Sequence, residues 1–166
     1  MTGATLERLG MALLAALIIG AGALAMAFLL QFGFGMRPCI LCLYERVPYV
    51  LLALTGAAGL LFTGDANARR WLVGLCALIL LGGAILGVYH VGVEEHWWVA
   101  ATGCAVAPAE PLTIEHLQAA LQTPLKPCDQ VDFRLAGLSL AGLNVLLSGG
   151  LATIYGIVFW QHLRRR

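Results

Sequence analysis

The sequence predicts an all-α integral membrane protein: a bundle of four transmembrane helices with a long outer loop between helices 3 and 4. Three observations carry that expectation. Sixty per cent of the 166 residues are hydrophobic and 11% are charged, against roughly 45–50% apolar and about 25% charged in soluble domains. Mean hydropathy is +0.86. The apolar residues gather into four stretches, Leu9–Leu30, Val47–Thr63, Trp71–Val88 (reaching residue 90 at most) and Ser139–Trp160. Each is near the roughly 17–25 residues a helix needs to cross about 30 Å of hydrocarbon. The length suits one membrane domain, 1–166. A formal net charge of +1 gives no reason to expect nucleic acid.

In lipid, backbone polar groups must be satisfied within the segment, so these stretches are expected to be helices. Helices of a soluble bundle would show polar faces, and these show almost none. The first stretch has an alternative as a cleaved signal peptide, since Arg8 precedes it and Ala23-Leu24-Ala25 resembles a cleavage site. The apolar run continues through Met26–Leu30, which favours an uncleaved helix. In the second, proline disfavours a helical residue before it, so the helix is expected to start at Pro48 or kink there. Gly83 and Gly87 in the third stretch, and Gly142, Gly149 and Gly156 in the fourth, form small-residue stripes expected to mark helix contacts. Asn144 and Ser148, one turn apart, read as interhelical hydrogen-bonders.

Orientation follows from the basic residues. Threading four helices in order puts Arg8, Arg69, Arg70, Arg164, Arg165 and Arg166 on one side. Arg37, Arg46, Lys126 and Arg134 fall on the other, spread over a longer length. The positive-inside rule therefore assigns both termini and the Gly64–Arg70 turn to the cytoplasm. The outer segment, about 91–134, carries Glu94, Glu95, Glu110, Glu115, Asp129 and Asp132. Trp97 and Trp98 read as interface anchors. A short helix is expected over Thr113–Gln122, with Ile114, Leu117 and Leu121 on one face.

Chemistry is concentrated in the cysteines. Cys39 and Cys42 lie at the outer edge of the membrane, between the first two apolar runs. Cys104 and Cys128 lie in the outer segment. Cys76, near the cytoplasmic end of the third stretch, is on the order of 20–30 Å away at 1.5 Å per helical residue. Disulfides need Cα atoms within roughly 7 Å, so Cys76 reads as a packing residue. The four outer cysteines suggest two disulfides, for which three pairings exist. Four thiolates are also a zinc ligand set, but Cys104 and Cys128 are 24 residues apart, unlike the short-spaced pairs of structural sites. Haem attachment needs histidine after Cys42, where Leu43 stands. Purely structural disulfides remain an alternative, although a two-residue loop restrains little chain entropy and suits redox cycling better. Arg46, one helical turn past Cys42, is placed to favour its thiolate or a negative quinone oxygen. It has alternatives in pairing with Glu45 or snorkelling to headgroups.

The run Pro38-Cys39-Ile40-Leu41-Cys42-Leu43-Tyr44-Glu45-Arg46 closely resembles the signature of the disulfide bond formation protein B (DsbB) family, and the resemblance spans the whole chain. The surroundings His96-Trp97-Trp98 and Pro127-Cys128-Asp129 look like a compact-loop branch. The resemblance implies redox disulfides Cys39–Cys42 and Cys104–Cys128 in a bacterial inner-membrane oxidoreductase with periplasmic cysteines. It implies a DsbA-like periplasmic thiol oxidase as partner and ubiquinone or menaquinone as bound electron acceptor. By position, Cys104 would form the mixed disulfide with the partner and Cys128 would attack Cys39. Cys42 would face the quinone, with Arg46 beside it and His90, ahead of His96, at the quinone site. DsbA-type oxidases lie near about −120 mV and ordinary structural disulfides below about −300 mV, so a terminal acceptor of higher potential must drive such a cycle. Phe32, Phe34, Tyr44 and Tyr49 are candidates for lining a quinone slot, or else anchors. The competing readings are a relative with a dedicated partner or a vitamin K-type quinone, and a non-catalytic scaffold with structural disulfides.

Overall fold

The computed structural model describes residues 3–62, 64–100, 104 and 126–164. The expected surface helix over Thr113–Gln122, like Arg165 and Arg166, lies outside the described residues. Four spans are long and apolar enough to cross a membrane. Helix α1 covers Gly3–Phe28 and runs into a wide π turn, Leu29–Gly33. A short α2, Ile40–Tyr44, leads into α3, Arg46–Leu61. Helix α4 covers Ala66–Glu94 and α5 covers Leu140–Leu163. Helix α4 packs mainly on α5, and α1 mainly on α3.

The boundaries shift in ways that have local causes. Helix α3 starts at Arg46, two residues ahead of Pro48. A first-turn proline is tolerated because its missing N–H would have no intrahelical partner there. The same missing donor accompanies the interruption of the helix at Glu45, between α2 and α3. Asp65 caps α4 by accepting the Ala68 N–H at 2.9 Å. At its other end α4 continues through Glu94, so Glu94 joins His90 on the helix, whereas the outer loop was expected to begin near residue 91. Before α5, Arg134–Leu135 pairs with Leu138–Ser139 in a small antiparallel hairpin. Its two turn residues, Ala136 and Gly137, have φ of 51° and 85°, as a type I′ turn requires.

Leu9, Leu13, Leu52, Val73, Cys76 and Leu80 form an apolar core toward one end of the bundle. Large apolar side chains such as Ile18, Leu54, Leu78, Ile85 and Ile154 are exposed on the outside, the pattern of a bundle solvated by lipid. Close approach of α1 and α3 depends on Gly20 and Gly56. A Cβ at Gly56 would lie 2.5 Å from the Leu13 carbonyl oxygen, and one at Gly20 would lie 2.6 Å from that of Tyr49. The α4 stripe behaves as expected: Gly83 faces Pro48 and Gly87 faces Val145. The α5 stripe does not. Gly156 has open space beside it and Gly149 meets only Ala84 at 3.9 Å. Ala141, Ser148 and Tyr155 are buried instead; the hydroxyls of Ser148 and Tyr155 need partners on a membrane helix, and glycine has no group that does. The Tyr155 hydroxyl donates to the Ala12 carbonyl at 2.9 Å, and that of Tyr49 donates to Asn144 Oδ1 at 2.5 Å. Tyr49 also lies 3.0 Å from Ser148, so Asn144 and Ser148 are the interhelical hydrogen-bonders their spacing suggests.

Candidate functional site

The opposite end of the bundle holds the cysteines. The structure joins Cys39 to Cys42 and Cys104 to Cys128, with Cα separations of 5.0 and 5.5 Å. Cys39 caps α2, accepting the Cys42 N–H on its sulfur at 3.0 Å. Cys39 and Cys128 are both buried in one apolar cluster with Leu41 and Val93. Lys126 N–H reaches the Pro38 carbonyl at 3.4 Å, tying the outer loop to the segment before the Cys39 pair. Cys76 is free and buried in the other core.

His90 is brought to the cysteines from 51 residues away. Its Nε2 lies 3.4 Å from Cys39 Sγ, and its Nδ1 lies 2.9 Å from Glu45 Oε1. A carboxylate only accepts, so Nδ1 carries a proton toward Glu45, and Nε2 faces the sulfur. Glu94 Oε1 approaches the same Nε2 to 3.8 Å, and the Ser139 hydroxyl donates to the other Glu94 oxygen. His96 is exposed and pairs at 3.8 Å with Asp129, the residue after Cys128.

Arg46 does not pair with Glu45, whose carboxylate is engaged by His90. Its guanidinium lies 5.0 Å over the Phe28 ring, and it shares with Cys42 the wall of a cavity of about 370 Å³. Ala23, Leu24, Ala27 and Leu30 of α1 and the π turn, with Leu143 and Leu147 of α5, form its apolar sides. Cys42, Glu45, Arg46, Tyr49, His90 and Glu94 give it a polar face. Of the four aromatics expected to line such a slot, only Tyr49 does so; Phe32, Phe34 and Tyr44 point outward and are exposed. Two buried polar atoms of cavity residues, Gln31 Oε1 and Asn144 Nδ2, have no protein hydrogen-bond partner. Sequence reasoning missed Glu45 and Glu94 as site residues. The available signal was the spacing of His90 and Glu94, one turn apart on a helix that had to be extended to contain both. Trp98 anchors that turn, stacking on Tyr89 and donating from Nε1 to the Tyr89 carbonyl at 3.0 Å.

A helical membrane bundle with a Cys-x-x-Cys pair buried at one end, next to a second disulfide, defines the class of membrane disulfide-forming oxidoreductases. A family model described as "Disulfide bond formation protein DsbB" matches residues 8–158, and the chain belongs to that family. Relatives named disulfide bond formation protein B include one from Pasteurella multocida, 27% identical over 85% of this chain and 80% of the relative. Another, from Nitrosospira multiformis, is 30% identical over 72% of this chain and 73% of the relative. A third, from Xanthomonas oryzae, is 28% identical over 80% and 79%. No solved structure matches.

Proposed function

We propose that this chain reoxidises a soluble DsbA-like dithiol oxidase on the periplasmic side of a bacterial inner membrane and passes the electrons to a membrane quinone, ubiquinone or menaquinone. The observation that carries this reading is the cavity: Cys42 and Arg46 share one wall, and its apolar sides are suited to a lipid-soluble ring. Its volume suits a ring-sized ligand, and the unpartnered Gln31 Oε1 and Asn144 Nδ2 are polar groups such a ligand can satisfy. Arg8, Arg69, Arg70 and Arg164 at the other end of the bundle support cytoplasmic termini.

In this reading a partner thiolate attacks Cys104, breaking its bond to Cys128. The freed Cys128 thiolate attacks Cys39, which shares its apolar cluster. The Cys39–Cys42 bond breaks, and Cys42 leaves as a thiolate stabilised by the Arg46 guanidinium. The partner's second thiolate then displaces Cys104, whose thiolate attacks Cys128; this restores the Cys104–Cys128 disulfide and releases Cys39, which takes up a proton. A bound quinone supplies a two-electron acceptor of sufficient potential. His90 holds its lone pair at Cys39 for the proton that must leave when the pair is reoxidised.

The test is quinone-dependent oxidation of a reduced DsbA-like protein by the purified chain in detergent. Oxidation is expected with wild type and lost with Cys39→Ser; absence of quinone reduction, or full activity in Cys39→Ser, overturns the reading. Trapping a mixed disulfide with Cys128→Ser identifies the partner.

A further inference from the structure

The four groups Glu45, His90, Glu94 and Ser139 come from three separate parts of the chain and meet beside the Cys39–Cys42 pair. Glu45 and His90 already have clear tasks, fixing the ring and facing the sulfur. Glu94 has none so far. It is only 9% exposed, and ionisable residues inside a membrane bundle are costly and usually functional. It lines the cavity as well as facing His90.

We propose that Glu94 is the proton carrier between His90 and the quinone cavity, with Ser139 as its positioning residue; this rests on the quinone reading above. When the reduced pair is reoxidised, Cys39 loses its proton to His90 Nε2 and its sulfur forms the bond to Cys42. Two electrons leave for the quinone. The imidazolium, held by Glu45 on Nδ1, passes the proton from Nε2 to Glu94 Oε1, and Glu94 delivers it to a quinone oxygen. The second proton needed for hydroquinone comes from the outer water, replacing the one released there when Cys42 ionised beside Arg46. Each cycle leaves His90 neutral and Glu94 ionised, as at its start.

The geometry favours Glu94 over the other acid. Glu45 Oε1 is taken up by the Nδ1 proton, which it must hold to keep the tautomer. Glu94 faces Nε2, the nitrogen that touches Cys39. Its second oxygen is fixed by the Ser139 hydroxyl, which also caps α5 by accepting the Gly142 N–H at 3.1 Å. The other charged groups lining the cavity are Arg37, which is exposed, Lys126, which pairs with Asp132 at 2.6 Å, and Arg46, which lies over Phe28. Tyr49, which also lines it, bonds to Asn144 and Ser148.

The test is stopped-flow mixing of the chain, pre-reduced with dithiothreitol and desalted, with a short-tailed ubiquinone between about pH 5.5 and about pH 8.5. Glu94→Gln is expected to slow quinone reduction by at least about tenfold, to remove one limb of the rate–pH profile, and to leave quinone affinity within about threefold. Glu94→Asp should retain that limb and recover part of the rate. Exposed Glu95, paired with Arg134 at 2.8 Å, provides the control, since Glu95→Gln should match wild type. A wild-type rate and pH profile in Glu94→Gln, or a loss due only to weaker quinone binding, overturns the proposal. If Glu94→Gln fails to fold, Ser139→Ala decides: its pH limb must shift, and an unchanged profile is equally fatal. A wild-type chain that cannot reduce quinone at all instead overturns the functional reading beneath it.

Discussion

Cys76 and Cys39 are both completely buried in the same bundle, yet their surroundings differ in kind. Cys76 sits in an apolar core with Leu9, Leu13, Val73, Leu80 and Tyr155, with no second cysteine, histidine or carboxylate in that cluster. Cys39 has a backbone N–H at 3.0 Å and an imidazole nitrogen at 3.4 Å, and behind that imidazole stand two carboxylates. Burial alone therefore does not decide whether a cysteine is inert. A thiol becomes a redox group where the fold brings donors, a base and a route for electrons to its sulfur. The two ends of one bundle have been given separate tasks: the Cys76 end is built for packing, and the Cys39 end concentrates its polar groups.

The sharpest way to break that comparison is to exchange the two cysteines' fates. Cys39→Ser should reduce thiol oxidation to background, whereas Cys76→Ala should keep turnover within about twofold and cost about 1 kcal/mol or less of stability. Turnover with a reduced dithiol protein and thermal unfolding in detergent check both. If Cys76→Ala lost activity, the division of the bundle would fail. Next in size, Arg46→Ala should lower the rate of quinone reduction on the order of a hundredfold, because a fixed positive charge beside a developing anion is lost. Arg46→Lys should recover only part of that, since the ammonium is a point charge on a flexible stem.

The packing end can be probed independently. Gly56→Leu is expected to destabilise the bundle by about 1–3 kcal/mol by forcing α1 off α3. Gly156→Leu, with open space around it, should stay within about 0.5 kcal/mol. Equal losses in thermal unfolding would show that the α5 stripe does matter. Tyr49→Phe should cost less than Gly56→Leu, about 0.6–1.7 kcal/mol for the lost hydrogen bonds to Asn144 and Ser148.

Several features were legible before any coordinates. The four spans followed from apolar run length, and Asn144 and Ser148 stood out as polar side chains one turn apart in lipid. The glycine reading was half right. Spacing finds a small-residue stripe but not its rotation about the helix axis, and on α5 the residues needing partners took the interior. The contacts at Gly20 and Gly56 were missed because each depends on where a second helix crosses. The π turn and the hairpin before α5 gave signals too weak to place.

What the sequence determined alone is the set of local obligations. A long apolar segment must satisfy its own backbone in lipid and so becomes a helix, and a Cys-x-x-Cys pair at its edge carries its own chemistry. What only the tertiary structure decided is the company those cysteines keep. Whether His90 or His96 meets Cys39, whether Glu45 turns to histidine or arginine, and whether Glu94 faces water or the cavity all depend on the rotation and axial register of α4 against α2, α3 and α5. Those are set by packing between segments tens of residues apart, and no local pattern records them.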